Sequence, residues 1–225
     1  MRRIGSSRQF RRLFASLAMG ASLVLCAGTA RAEWLLDAFV GIPFPRGGEV
    51  TADRVAANSF PADVDEDLDV TFGLRFGRYA EVAPWLDLGL ALDASGTLGE
   101  IGNVDFNFVP VTGLLLARVP LFKSEELPHG MIQPYIGGGA SLVWSQLAQN
   151  SFNDNSLDGG AAAVGGIKFM FMENFGIFAE YRFNYFTSRY QSSPYPLNQL
   201  GHVDVKSLSH TPTIGASWHF SLPWD

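Results

Sequence analysis

The sequence predicts an all-β fold, a single eight-stranded antiparallel up-and-down transmembrane β-barrel. Three observations carry that expectation. Apolar and polar residues alternate with period two in run after run. No stretch beyond residue 32 is apolar for long enough to make a spanning helix. The connections between runs alternate between long and short, as they do in a barrel with one outer and one inner end.

The first 32 residues read as an address. Arg2, Arg3, Arg8, Arg11 and Arg12 form a cationic start, Leu13 to Ala27 is apolar, and Ala30-Arg31-Ala32 supplies the small residues of a cleavage site. A cleaved signal peptide over 1–32 leaves a barrel domain over 33–225, starting at Glu33. Two other signals are weighed against this. Cys26 hints at a lipoprotein signal, but the bulky Leu25 before it argues against cleavage there. Arg11-Arg12-Leu13-Phe14 hints at a twin-arginine signal, a route for folded cargo, whereas a barrel crosses the inner membrane unfolded.

Removing residues 1–32 takes away six of the 16 basic residues and none of the 22 acidic ones, which leaves a formal charge of −12. Nucleic acid is disfavoured as a partner by that charge. The single cysteine, Cys26, leaves with the signal, so thiol catalysis and disulfides are excluded from the remainder.

The runs follow in order. Trp34 to Ile42 sets Trp34, Leu36, Ala38, Val40 and Ile42 against Asp37 and Gly41. Leu68 to Gly77 is the cleanest, with Leu68, Val70, Phe72, Leu74 and Phe76 opposite Asp69, Thr71, Gly73, Arg75 and Gly77. Leu86 to Ala94 repeats it, its leucines opposite Asp87, Gly89, Ala91 and Asp93. Phe106 to Arg118 is a strand whose phase the sequence leaves open, with Pro110 a candidate bulge; eight strands rather than ten rests partly on this run. Pro134 to Trp144 places Tyr135, Gly137, Gly139 and Ser141 together. Gly160 to Phe171 places Lys168 with Gly166 and Val164. Phe175 to Tyr185 sets Glu180, Arg182 and Asn184 against Ile177, Ala179, Tyr181, Phe183 and Tyr185. Leu208 to Phe220 is the eighth run. About ten residues is the length a tilted strand needs to cross a bilayer.

Eight strands enclose an interior only just wide enough for side chains. The face of Gly, Ala, Ser and charges therefore suits the lumen, and the face of Leu, Phe, Tyr and Val suits lipid. The alternative, a soluble barrel with an apolar cavity, inverts the two faces. The connections 43–67, 95–105, 145–159 and 187–207 are long and polar, while 78–84 and the Glu173-Asn174 turn are short. The connection 119–133 is long for its end of the barrel.

Two segments carry a resemblance. One is Pro120-Leu121-Phe122, Leu127-Pro128-His129-Gly130 and Gln133-Pro134-Tyr135-Ile136-Gly137-Gly138-Gly139. The other is Ala179-Glu180-Tyr181-Arg182-Phe183. The chain resembles the broad family of small outer-membrane β-barrel proteins, porin-like and of the OmpA/OmpX type. Thr213, Gly215, Trp218 and Phe220 resemble the family's terminal signal for the barrel-insertion machinery, although Ser221 to Asp225 follow where members commonly end. The resemblance implies the cell outer membrane as location. It implies membrane lipid, lipopolysaccharide and the insertion machinery as partners, and it names no extracellular ligand. No cofactor is expected.

Candidate sites are few. Asp63, Asp65, Asp67 and Asp69 recur at period two and offer oxygen ligands for Ca²⁺ or Mg²⁺, against the plainer reading of a solvated acidic loop. Asp37, Arg75, Asp87, Asp93, Lys168, Glu180 and Arg182 form an expected lumen charge network, either lining a pore or plugging it. The plug is favoured by the narrowness of eight strands. Lipid A deacylases of this shape carry a His-x-Ser pair. The nearest residues here, Ser209-His210-Thr211 and His202-Val203-Asp204, lack the serine two places after the histidine. Trp34, Tyr79, Trp85, Trp144, Tyr185, Trp218 and Phe220 sit near strand ends, as interfacial girdles do. Gly137-Gly138-Gly139 lacks the Lys-Ser/Thr and the helix of a phosphate loop. The expected function is non-enzymatic, envelope-structural or surface-interacting through long acidic outer loops. A narrow channel for small or hydrophobic solutes and a lipid A-modifying enzyme are the alternatives.

Overall fold

The computed structural model describes residues 32–45, 49–52, 70–101, 104–149, 152–190 and 203–221. It is a closed antiparallel barrel of eight long strands: β1 (Ala32–Gly41), β2 (Val70–Ala83), β3 (Leu86–Ile101), β4 (Val104–Arg118), β5 (Ile132–Gln149), β6 (Phe152–Met170), β7 (Phe175–Tyr190) and β8 (Val203–Phe220). Each strand pairs with the next, and β1 closes on β8 from Trp34–Phe220 to Gly41–Thr213. Beyond the end of β1, the short segments Phe44–Pro45 and Glu49–Ala52 take over its place beside β8. Among the described residues no helix is long and apolar enough to cross a membrane.

The register fixes the shape. Stepping across the ladder from Ala32 leads through Ala80, Leu88, Ala117, Ile136, Gly165 and Tyr181 to Pro212. Pro212 O then accepts from Ile42 N at 3.2 Å, ten residues further along the starting strand. That stagger goes with a strand tilt of roughly 35–45° and an interior filled by side chains.

The alternation places its two faces as a lipid-spanning barrel requires. Leu36, Val40, Phe72, Leu74, Phe76, Leu92, Leu142, Ile167, Ile177 and Ile214 are exposed on the outer wall. Apolar exposure on that scale suits only hydrocarbon. The inward positions of the same strands hold the buried charges.

The interior is not built of small side chains alone, which corrects the expectation. Leu35, Phe39, Tyr79, Leu114, Leu116, Tyr135 and Phe178 are buried inside it. The inward glycines are seats for these rings. A Cβ at Gly89 would lie 2.7 Å from the ring of Tyr79, and one at Gly73 would overlap Phe39. Tyr135 lies over Gly166 and Phe178 over Gly215 in the same way. A small residue on one strand is thus filled by a large one from its neighbour, as close packing demands. On the outer wall, by contrast, a Cβ at Gly113 would meet nothing within 4 Å.

Four further expectations are corrected. The segment 78–84 is not a turn: β2 runs to Ala83, with an irregularity between Glu81 and Ala83, and Pro84 and Trp85 make the turn. The segments 95–105 and 145–159 are mostly strand, since β3 reaches Ile101, β4 starts at Val104, β5 reaches Gln149 and β6 starts at Phe152. Outside the apolar band a strand can be polar on both faces, so its ladder continues where its hydrophobic period stops. The phase of β4 puts Thr112, Leu114, Leu116 and Arg118 inside and Val111, Gly113 and Leu115 outside. Pro110 makes no bulge. The ladder to β3 lapses between Ala94–Val111 and Thr97–Phe108 and resumes in the same register, as expected of a residue without an N–H.

The long connection after β4 is ordered. Val119 N and Leu121 N continue the hairpin to Pro134 O and Ile132 O, each at 2.9 Å. The turn closes with Gly130 N donating to Leu127 O at 2.9 Å. Gly130 has φ +84°, and a Cβ there would lie 2.6 Å from Leu121 O, so glycine is required twice over.

Candidate functional site

The inward charges join into one network that fills the lower and middle lumen. Its upper part centres on Arg75. Nε donates to Asp93 Oδ2 at 3.0 Å, Nη2 donates to both Glu180 oxygens at 2.8 Å, and Nη1 lies 3.6 Å from Asp37 Oδ2. Arg182 donates to Asp93 from Nη2 and stacks over Phe39 at 4.2 Å. Tyr135 donates to Glu180 Oε2 at 2.8 Å.

Lys168 links this group to the lower one. Its Nζ donates to Asp37 Oδ1 at 3.1 Å and Ser217 Oγ at 2.6 Å, and sits 3.0 Å from His219 Nε2. Ser217 in turn donates to Asp37. An ammonium has no lone pair to offer, so Nε2 is the acceptor and the ring proton sits on Nδ1, 2.5 Å from Glu33 Oε1.

The lower group centres on Arg118. It donates to Glu33 Oε2 at 2.6 Å, to Asp87 Oδ2 at 2.7 and 2.9 Å, and to Gln133 Oε1 at 3.1 Å. Its guanidinium lies 4.0 Å from the ring centre of Tyr79. Gln133 Nε2 binds the carbonyls of His129 and Gly130 at 2.9 and 3.0 Å, which ties the ordered turn under the barrel mouth.

All eight strands contribute to this chain of contacts. Five acids (Glu33, Asp37, Asp87, Asp93, Glu180) face four cations (Arg75, Arg118, Lys168, Arg182), every one buried. Asp37 Oδ2, buried, has no hydrogen-bond partner among the described residues and faces Arg75 Nη1 at 3.6 Å. Burying ions is tolerated only in such paired sets. The arrangement can block solvent and lock strands together.

The seven charges singled out in the sequence all lie on the inward face and all belong to the network, six of them around Arg75 and Lys168 and one through Arg118. Asp87 belongs with Arg118, away from Arg75. Glu33, Arg118, Tyr135, Gln133 and Ser217 were not among the expected members. A strand phase for β4 would have exposed Arg118. Of the insertion signal, Thr213 faces inward and donates to Glu180 O at 3.1 Å, Gly215 lies under Phe178, Trp218 is exposed on the outer wall and Phe220 is half-buried. Tyr79 is not a girdle residue, being buried over Gly89.

Ser209 and His210 are not brought together. Ser209 lines the lumen, while His210 points to the outer wall and sits 2.9 Å from the hydroxyl of Tyr181 by Nδ1. His202, the side chains of Val203 and Asp204, and the four aspartates Asp63, Asp65, Asp67 and Asp69 lie outside the described residues. Among the described residues no group of three or more His, Cys, Asp or Glu is placed to hold a metal ion.

No family model matches the chain, and no curated protein does. Solved structures do. Neisserial surface protein A superposes with a TM-score of 0.50 at 16% identity, over 85% of this chain and 98% of that one. OprG from Pseudomonas aeruginosa superposes with a TM-score of 0.52 at 15% identity, over 86% of this chain and 98% of that one. The fold is that of the small outer-membrane β-barrels. In this barrel the plug occupies the place where a wider one would hold water.

Proposed function

We propose that the protein is exported by its signal peptide to the outer membrane, where it serves as a non-enzymatic, non-conducting barrel that displays long outer loops. The observation that carries this reading is the continuous ion-paired plug with a member from every strand. A path for ions would have to break it. The apolar outer wall and the likeness to Neisserial surface protein A support the membrane setting. The acidic stretch with Asp53, Asp63, Asp65, Glu66, Asp67 and Asp69 supports a role in surface contacts rather than nucleic-acid or anion capture.

Planar bilayer recording of the purified protein in molar KCl tests it. No discrete conductance steps are expected. Reproducible steps would replace this reading with the channel. Deleting residues 53–68 is expected to abolish surface binding while leaving the boiling-dependent shift in gel mobility of an intact barrel.

A further inference from the structure

Above the plug the lumen opens into a cup of about 130 Å³. Its polar lining includes Arg182, Ser95, Asn184, Ser209 and Thr211, and Val143 adds an apolar side. Arg182 is 5% exposed and belongs to the plug, yet its bonding is incomplete. Nη2 serves Asp93; Nε, although 2.9 Å from Glu180 Oε1, has no acceptor in line with its proton; and Nη1 has no partner among the described residues. Ser95, Asn184, Ser209 and Thr211 likewise make no side-chain hydrogen bond among the described residues. Unspent donors and acceptors thus gather around a guanidinium at the open side of the plug.

We propose that this cup is a binding site for a small hydroxylated monocarboxylate. Size sets the first limit: a cavity of about 150 Å³ accepts a benzene-sized molecule, so the ligand has about six or seven heavy atoms. Charge sets the second. Arg182 Nη1, the guanidinium nitrogen that neither Asp93 nor Glu180 engages, offers a charge-assisted bond to a carboxylate oxygen. Asp93 and Glu180, both bound to the same arginine, repel a dianion more than a monoanion. The free hydroxyls and the Asn184 amide then match the hydroxyl groups of the ligand, and Val143 takes its carbon chain. The plug beneath makes the cup a dead end, so the ligand enters and leaves by the loop end.

The test is an amide-shift NMR titration of the full barrel in detergent micelles with sodium D-glycerate, with glycerol as the probe lacking the carboxylate. Glycerate is expected to give saturable shifts at Ser95, Asn184, Ser209 and Thr211, with glycerol weaker by at least about tenfold. Ser209→Phe fills the cup without touching the plug and is expected to weaken glycerate by at least about tenfold. If that variant fails to show the folded barrel's gel mobility, Ser95→Leu replaces it. Absence of saturable shifts, equal binding of glycerol, or undiminished binding by the filled variant would each overturn the proposal.

Discussion

Replacing Arg118 with methionine keeps the bulk of the side chain and removes its charge. The guanidinium is 1% exposed and serves Glu33, Asp87 and Gln133 at once, with Tyr79 beneath it. Without it, Asp87 loses both of its hydrogen bonds to the lower group, while Glu33 keeps only His219 at 2.5 Å and His129 at 3.6 Å. Removing one partner from a buried pair costs about 3–5 kcal/mol, because the remaining charge stays buried. Two carboxylates are stranded here, so the loss should fall in the upper part of that range. Equilibrium urea unfolding in lipid vesicles, followed by tryptophan fluorescence, reads it directly. Adding Asp87→Leu to Arg118→Met should recover part of the loss, since one stranded charge is then gone. A loss below about 1 kcal/mol, the size of an exposed ion pair, would show that water reaches the lower lumen and that the plug is not dry.

Two further outcomes separate the inside from the outside. Gly89→Val should destabilise by about 1–3 kcal/mol through overlap with the Tyr79 ring, whereas Gly113→Ala, on the open outer wall, should be neutral or stabilising by up to about 1 kcal/mol; the same urea titration compares them, and equal effects would refute the assignment of faces. Ile214→Arg on the outer wall should cost about 2–4 kcal/mol in vesicles, as an arginine facing hydrocarbon does, and a cost near zero would place that face in water.

How much of this was legible depended on where a strand sits relative to lipid. Leu68 to Gly77 and Leu86 to Ala94 read cleanly because hydrocarbon on one side and a crowded lumen on the other impose strict alternation. The same phase pointed Arg75, Asp87, Asp93, Lys168, Glu180 and Arg182 inward. The upper parts of β3 to β6 look like loops in the sequence because no apolar face is imposed above the lipid, although their ladders continue. Arg118 was hidden by Leu114-Leu115-Leu116, which puts leucine on both faces of β4 and erases the period. Tyr79 looks like a rim residue from the sequence because the apolar alternation stops at Gly77, although the strand runs on to Ala83. Glu33 stands at the head of its strand, just before the alternating run of Trp34 to Ile42, and its partners come from β4 and β8. Such pairings depend on closure of the barrel, which no local pattern encodes.

The plug also acts as a proofreading device for assembly. A slip of one residue in any strand exchanges its two faces. For β2 that slip would turn Arg75 toward lipid and Phe76 into the lumen, and three carboxylates, Asp37, Asp93 and Glu180, would lose their common cation. Similar consequences follow for β4 through Arg118 and for β6 through Lys168. Misaligned closures are therefore penalised twice, once in the membrane and once in the lumen, and the charges that shut the barrel are the ones that tell it when it has closed in register.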